Sequence, residues 1–571
     1  MANTAQRLFY AAVGLTLVFR LWLAAVMPIT GDEAYFIWWG WIPDWGFYDH
    51  PPMIGWWLAA LLAVGDAEWW LRLPQVAQPV LLALAVRWAW PRLWPEQPEQ
   101  AERRDWAALL VLLAPVNVWN VFVTTDTALV YCAVLSGLAW LFASREPGGN
   151  VWRWYVLAGI FLAGAVLSKY FAALLGFAYL IDVLRRRTAR AFAGLAITYA
   201  ITVPALLLMA WWNAGNCWSN YMFNFVNRHG AHSGIGLENP LIYAATLAYV
   251  LTPPVLWLLF RRRPAPPSLP ASFPQGERGD RQLPSPLAGE GLRERGGGFS
   301  NVERSLATLV AVPLLLFAVL SLFRTVGLHW ILAFVPFALL LAVRRLSGPA
   351  VPKLAWFFMG FAALHLAVAL VVSRLPLETW RSFRIYPGLV LTFESRALVA
   401  HAAPGDSLLV SDGYSNAVIL GYNLRRYVPV LGMASSHARH DDILTDWRLQ
   451  DGRDITVLRK TAPEPDEYKA WFQSVTTDSF EHRGAHYWVV RGRGFDYAAY
   501  RDSVLLEVRR RYYALPPWLP QTGCYFCDRY FPDKTCLRRA APRRRARLAP
   551  SGGGGQRAGF ASVGGSSTCR R

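Results

Sequence analysis

The stretch "GDEAYFIWWGWIPDWGFYDHPPMIGWW", residues 31–57, places acids, a histidine and paired prolines between two strongly apolar parts of the chain. The segment before it, residues 8–27, is long enough to cross a membrane as a helix. Ionisable side chains at membrane depth are costly and usually have a function or a partner. We therefore interpret the stretch as a functional loop between two membrane helices.

The composition is that of an integral membrane protein. Of the 571 residues, 54% are hydrophobic and 28 are tryptophan, which is too apolar for an ordinary soluble protein. The net charge of +19 could suggest nucleic-acid binding, but many of the cations form short runs at the ends of apolar segments. This placement favours a role in membrane orientation.

About eleven apolar stretches have the length of a spanning helix, roughly 17 to 25 residues. They lie near residues 8–27, 73–90, 106–123, 127–143, 151–168, 170–184, 191–212, 241–260, 306–323, 330–344 and 352–372. The first is interpreted as an uncleaved anchor, because its flank "AAVMPITGDE" has no convincing small-residue cleavage site.

The lysine and arginine runs predict the orientation of these helices. If the N-terminus is cytoplasmic, four basic clusters fall inside, at residues 102–104, 185–190, 261–263 and 344–345. The same topology places outside the loop 28–72 and everything after about residue 373. We therefore predict a membrane domain over residues 1–375.

Residues 380–536 change in character and predict a small external α/β domain. Short strand-like runs occur as "DSLLVSDG", "NAVILGYNL", "DITVLRK" and "AHYWVVRGR", and "EPDEYKAWFQ" is typical of a helix. Such a domain could bind the acceptor of a reaction, or it could only pack on the membrane domain. The sequence does not choose between the two.

The predicted topology gathers polar residues from six loops or turns on the external face. They are Asp32, Glu33, Asp49, His50, Asp126, Lys169, His229, His232, Arg324 and His329. Their convergence on one face indicates a functional site.

Several motifs carry a resemblance to a known family. "GDEAYFIWWG" with "GFYDHPPMIGWW", followed by "TTDTAL", "LSKYFAAL" and "HWILAFVPFALL", resembles the polyprenyl-phosphate-sugar glycosyltransferases of the GT-C class. Within that class the chain looks like the protein O-mannosyltransferase-like group, which includes the bacterial aminoarabinose transferase of lipid A. The resemblance covers about residues 8–345. It implies a GT-C type membrane fold and an inverting transfer of sugar from a lipid phosphate to a hydroxyl group.

The resemblance also implies which acids would act in catalysis. Asp32 occupies the position of the catalytic base, although an acid before an apolar run is also a common helix cap. Glu33 could share that role or be structural. Asp126 would be a second site acid that positions donor or acceptor, and the alternative is a cap of the helix that begins near Thr127.

Five further residues would bind the donor sugar or its phosphate: Asp49, His50, Lys169, Arg324 and His329. Pro51 and Pro52 hold the backbone before them extended and so fix Asp49 and His50. Some relatives have a lysine where this chain has His50, so His50 would be a weaker and pH-dependent phosphate partner, or a loop histidine bonded to Asp49. Lys169 could neutralise the leaving phosphate, or extend to the membrane interface.

The resemblance requires no cofactor, although a divalent metal could be held. Asp49, His50, His229 and His232 include suitable ligand types. "NRHGAHSG", however, lacks the spacing of a dedicated zinc motif, and a flexible loop with solvated histidines is the simpler interpretation. The sequence has no DxD metal-nucleotide motif and no glycine-rich phosphate loop, which suits a lipid-linked donor better than a nucleotide sugar.

Three other segments are assigned no catalytic role. The segment 261–305 is rich in proline, glycine and arginine and lacks apolar periodicity, so we predict a disordered cytoplasmic loop. The segment 538–571 contains nine arginines and no acid, so we predict a disordered basic tail. Cys524, Cys527 and Cys536 could form a disulfide in an oxidising compartment or ligate a metal.

The favoured hypothesis is a multi-pass glycosyltransferase of the bacterial inner membrane with its site on the periplasmic face. Its partners would be a polyprenyl-phosphate-linked sugar, a glycolipid, glycan or protein acceptor, and membrane lipid, but no nucleic acid. The alternatives are a transporter or flippase for a lipid-linked glycan, and a membrane scaffold whose external domain is the working part. Charged residues near mid-bilayer and broken helices in repeated halves would favour a transporter.

Overall fold

A computed structural model of the protein describes residues 4–95, 99–145, 151–227, 236–261, 300–346 and 348–532. Its membrane part is helical. The helices are α1 Thr4–Val26, α2 Gly31–Trp41, α3 Met53–Leu62, α4 Glu68–Leu71, α5 Leu73–Leu93, α6 Glu99–Leu112, α7 Pro115–Trp119, α8 Thr125–Arg145, α9 Val151–Val166, α10 Ala173–Arg186, α11 Ala189–Gly215, α12 Ser219–Phe225, α13 Glu238–Val250, α14 Pro253–Phe260, α15 Asn301–Ser321, α16 Val335–Arg345 and α17 Ala350–Val372.

Within the described residues, six helical segments are long and apolar enough to cross a membrane: α1, α8, α11, α15, α17 and the segment Leu328–Arg345, which includes α16. The pair α13 and α14 is bent by 103° and would be a seventh span. The other predicted spans correspond to α5, α6, α9 and α10, which are helices but are shorter or less apolar. The prediction of a polytopic helical protein is confirmed, and the count of about eleven spans stays a prediction, of which six or seven among the described residues have spanning length and composition.

Arg20 lies deep in α1 and is fully buried. A buried guanidinium needs hydrogen-bond partners, and Arg20 donates hydrogen bonds to four backbone carbonyls. Its Nε lies 3.1 Å from the carbonyl oxygen of Val76 and its Nη2 lies 2.7 Å from that of Asn120, with further bonds to Gln75 and Asn117. These carbonyls lie in the first turns of α5 and around the end of α7, so Arg20 joins three helices.

The C-terminal domain, which we predict to be external and call the external domain, is built on a four-stranded sheet. Its strands are β1 Leu408–Ser411, β2 Ile455–Arg459, β3 Phe472–His482 and β4 Ala485–Phe495, in the order β1-β2-β4-β3. The first pair is parallel and the other two are antiparallel. The helices of this part are α18 Tyr386–Ala402, α19 Tyr414–Leu424, α20 Asp441–Leu444, α21 Tyr497–Tyr500, α22 Leu506–Tyr512 and α23 Tyr525–Tyr530.

Two predictions about this domain are wrong. The run "NAVILGYNL" is not a strand but most of α19, because an apolar run that is buried along its length does not distinguish a strand from a helix. The run "EPDEYKAWFQ" forms only a short 3₁₀ turn, Lys469–Trp471, before β3 begins. Strand β3 itself was missed because it is a largely exposed edge strand with mixed polarity.

The cysteines of the last described segment form disulfides. Cys524 is bonded to Cys217, which follows α11 and lies 307 residues earlier in the chain, and Cys527 is also disulfide-bonded. Cys524 is therefore not free to ligate a metal, and its partner is one that sequence analysis did not consider. Cys536 lies outside the described residues.

The predicted loop 261–305 lies mostly outside the described residues, as does the whole predicted tail 538–571. The loop ends earlier than the predicted residue 305, because α15 begins at Asn301. Ser300 caps that helix by accepting a hydrogen bond from the backbone N–H of Glu303.

Candidate active site

The N-terminus of α2 presents Asp32 on an exposed surface. Thr30, the residue before the first residue of α2, forms a capping box with Glu33. The Thr30 hydroxyl accepts a hydrogen bond from the Glu33 N–H, and the Glu33 carboxylate accepts one from the Thr30 N–H at 3.1 Å. Asp32 is therefore not the cap of this helix. Its exposed carboxylate accepts a hydrogen bond from the hydroxyl group of Tyr414 at 3.2 Å.

Glu33 is fully buried, and its carboxylate is used for structural contacts. It forms a two-pronged ion pair with Arg72, with both N–O distances 2.7 Å, and accepts a bond from the N–H of Val123 at 3.2 Å. Arg72 also donates to three carbonyls at the end of α1. The Glu33 carboxylate therefore joins α2 to Arg72 and to the segment before α8. This geometry favours a structural role and gives no support to a direct role in catalysis.

Asp49 lies in the loop between α2 and α3 and is almost completely buried. It accepts a hydrogen bond from the hydroxyl group of Tyr35 at 3.2 Å. Burial raises the pKa of Asp49 to about 7. The loop backbone is held by α12, because Asn220 donates to the carbonyl of Phe47 and Asn224 donates to that of Asp49.

The shifted pKa of Asp49 predicts a pH-dependent stability. Because the pKa in the folded state, about 7, exceeds the ordinary 3.8, the folded protein binds this proton more tightly. The contribution of Asp49 to stability is therefore greatest at low pH and is lost as the pH rises from about 4 to 7. We expect Asp49→Asn to gain several degrees in thermal unfolding midpoint relative to wild type between pH 4 and pH 8.

Thermal unfolding of the purified protein in detergent measures this difference at each pH. Other titrating groups, including the buried His440, are present in both proteins and cancel in the comparison. If the thermal unfolding midpoints of wild type and Asp49→Asn differ by the same amount at every pH from 4 to 8, the raised pKa of Asp49 is contradicted.

His50 is partly exposed and lies beside two aromatic rings. Its ring centroid lies 6.2 Å from those of Phe36 and Trp39. His229 and His232 lie outside the described residues. Among the residues that the structure describes, no group of three or more His, Cys, Asp or Glu side chains could hold a metal ion.

Three predicted site residues from separate segments form one cluster, which we call the charge cluster: Asp126, Lys169 and His329. The Nζ of Lys169 lies 2.9 and 2.8 Å from the two carboxylate oxygens of Asp126, and Nε2 of His329 lies 4.0 Å from one of them. The lysine and aspartate side chains are only 9% and 10% exposed. The Lys169 ammonium is thus paired with a carboxylate inside the protein.

Arg324 lies beyond the end of α15, in the turn that leads to His329, and is partly buried. Its N–H donates to the carbonyl of Leu320 at 3.0 Å. Its predicted role in donor binding stays a prediction.

Backbone contacts place Asp32, Asp49 and the charge cluster at the same end of the helix bundle. The N–H of Val123, three residues before Asp126, donates to Glu33, the neighbour of Asp32. The N–H of Met53 donates at 3.0 Å to the carbonyl of Leu167, two residues before Lys169. The external loop and the ends of α8 and α9 are therefore joined directly.

The external domain lies on this loop and contributes residues that sequence reasoning missed. Besides the bond from Tyr414 to Asp32, the backbone N–H of His440 donates to the hydroxyl of Tyr35 at 3.3 Å. The His440 ring packs 5.2 Å from that of Phe47, and burial lowers the pKa of His440 to about 3, so that the ring is neutral. These residues lie more than 350 positions from the loop in sequence, and no local motif marks them.

The fold is of the GT-C type, as the sequence resemblance predicted. It is similar to two crystal structures of ArnT from Cupriavidus metallidurans. The apo structure aligns with a TM-score of 0.57 at 15% identity, covering 86% of this chain and 98% of that one. The structure bound to undecaprenyl phosphate aligns with a TM-score of 0.53 at 16% identity, covering 84% and 97%.

Sequence comparison points to the same group of proteins. Residues 49–212 match the family of dolichyl-phosphate-mannose-protein mannosyltransferases. The chain is also 25% identical over 265 residues to the lipid A galacturonosyltransferase RgtD of Rhizobium johnstonii. That alignment covers 43% of this chain and 53% of RgtD, so it spans about half the length of that relative. The predicted resemblance is confirmed.

Proposed function

We propose that the protein is an inverting glycosyltransferase that moves a sugar from a polyprenyl-phosphate donor to a hydroxyl group of lipid A or another envelope acceptor. The observation that carries this proposal is one end of a helix bundle that holds both an exposed carboxylate, Asp32, and a buried lysine, Lys169, beside an acid and a histidine. These are the groups that the transfer needs, a base for the acceptor and a cation for the leaving phosphate.

In the proposed step, Asp32 takes the proton of the acceptor hydroxyl. The oxygen attacks the anomeric carbon as the bond from that carbon to the phosphate oxygen breaks, and the electron pair leaves with the lipid phosphate. Lys169 and His329 stabilise the negative charge that develops there, while Asp126 holds Lys169 in place. Since Lys169 supplies the positive charge, we propose that the step requires no metal or other cofactor.

The proposed location is the inner membrane, with the site on its periplasmic face. The basic clusters predicted to be cytoplasmic include arginines that pair with acids on helices: Arg104 with Asp105 at 3.1 Å, Arg185 with Asp182 at 2.6 Å, and Arg344 with Glu303 at 2.6 Å. The disulfide between Cys217 and Cys524 is typical of an oxidising compartment. The disulfide supports an external position for the domain that carries Cys524.

A lipid-linked glycan transporter is less well supported. Arg20 lies within a span, but its hydrogen-bond donors are satisfied by backbone carbonyls. The bent pair α13 and α14 is a single such break among the described residues, whereas a transporter built from repeats is expected to carry matching broken helices in both halves.

Mass spectrometry of envelope glycolipids and glycoproteins, from cells with and without the gene, tests the proposed function. We expect a sugar to be missing from one glycolipid in the deletion strain and restored by the wild-type gene, because lipid A is the acceptor named for the relative RgtD. The mass difference would identify the sugar and its acceptor together. Identical glycolipids and glycoproteins in both strains would overturn the proposal.

A further inference from the structure

We propose that Tyr414 of the external domain is a positioning residue for Asp32, so that the active site is completed by the docking of this domain on the first loop. The inference rests on the proposed function, in which Asp32 is the base. It decides a question that the sequence left open, whether the external domain takes part in the reaction site or only packs beside it.

The direct contact is a hydrogen bond at 3.2 Å from the Tyr414 hydroxyl to Oδ1 of Asp32. Tyr414 is the first residue of α19, and its ring packs edge-on against that of Tyr35 with centroids 5.9 Å apart. Tyr35 in turn donates to Asp49 and accepts from the backbone of His440. Asp32 and Asp49 are therefore each bonded to a tyrosine that lies at the interface with the external domain.

The close approach of the two helices supports this role. A Cβ atom at Gly31 would lie 2.5 Å from Oγ of Ser415 and 3.3 Å from its Cβ, so a larger residue there would force the Ser415 side chain to move. Farther along the same helices, the rings of Trp41 and Tyr422 stack with centroids 6.3 Å apart. Helix α19 is thus in close contact with α2 at the end that carries Asp32.

An exposed carboxylate that makes no fixed contact rotates freely and presents its base in many directions. A bond to one oxygen restricts this rotation, and leaves the second oxygen of Asp32 to receive the proton from the acceptor hydroxyl. Removing the hydrogen bond from Tyr414 to Asp32 should lower the rate of sugar transfer within the enzyme–substrate complex more than it weakens the binding of substrate. We therefore expect a lower maximal rate with little change in the amount of substrate needed for half-saturation.

The test compares Tyr414→Phe with Tyr422→Phe in the full-length protein in proteoliposomes. Tyr422 lies on the same helix, and its hydroxyl donates across the same interface to Glu68 at 3.4 Å, away from Asp32. The substrate is a total lipid extract of the deletion strain, which contains unmodified acceptor and unused donor. We expect Tyr414→Phe to lower the maximal rate about 10-fold, because it removes one hydrogen bond to a charged group, and Tyr422→Phe to stay within about 2-fold of wild type.

A wild-type maximal rate in Tyr414→Phe would overturn the inference, and so would equal losses in both variants that follow a loss of folded protein. A decrease in Tyr414→Phe that appears only as weaker half-saturation would also overturn it, because that result indicates substrate binding. If the wild-type protein transfers no sugar at all, the proposed function fails instead, so the two failures are distinguishable.

Discussion

Replacing Asp32 by asparagine is expected to abolish sugar transfer while the protein still folds and inserts in the membrane. Asparagine preserves the shape of the side chain and can still accept the bond from Tyr414, but it cannot take a proton from the acceptor. General base catalysis contributes about 10²- to 10⁴-fold to a rate, so we expect transfer to fall at least about 100-fold. Mass spectrometry of the glycolipids from a complemented deletion strain measures the loss.

Asp66→Asn is the matched control for this variant. Asp66 lies in the same external loop, and its exposed carboxylate pairs with Arg425 at 3.0 Å on the protein surface. Exposed pairs contribute little, about 0–1 kcal/mol, so transfer by this control should be close to wild type. Unchanged transfer by Asp32→Asn, in a protein present at the normal level in the membrane, would contradict the role of Asp32 as base.

Replacing Lys169 by methionine is expected to stop transfer and also to destabilise the protein. The change leaves the Asp126 carboxylate, 10% exposed, without the lysine that neutralises it. Breaking a buried pair by removing one partner costs about 3–5 kcal/mol. It also removes the cation that we assign to the leaving phosphate, so the two effects must be separated.

The double variant Asp126→Asn with Lys169→Met separates stability from catalysis. It removes both charges, so we expect the thermal unfolding midpoint to return toward that of wild type while transfer stays at least about 100-fold lower. Lys353→Met, which changes an exposed lysine at the start of α17, is the control and should leave both quantities unchanged. Recovery of transfer by the double variant would show that the pair is only structural.

The parts of the site that could be predicted from sequence are those with a local signal. Apolar runs and basic clusters indicated where the helices lie, and the polar residues between them stood out for that reason. Asp126 and Lys169 were each predicted as site residues in this way. Their mutual contact was not, because it depends on how α8 and the end of α9 pack, which no spacing in the sequence records.

The contacts that sequence reasoning missed involve distant partners. The ion pair between Glu33 and Arg72 joins residues 39 positions apart, and no local pattern in the sequence marks it. Tyr35 and Tyr414 are ordinary aromatic residues in apolar surroundings, and only the docking of α19 on α2 brings them to the acids. The same docking buries α19 on both sides, and so hides the one-sided pattern by which a surface helix is recognised.

The 382-residue separation between Asp32 and Tyr414 has a consequence for biogenesis. The segment that carries Asp32 is synthesised well before α19, which carries Tyr414. At a synthesis rate of about 5–20 residues per second, the interval is on the order of tens of seconds. During that time the Asp32 carboxylate of the nascent chain lacks the hydrogen bond from Tyr414, and under the proposed function full activity would be reached only after the C-terminal domain has folded on α2.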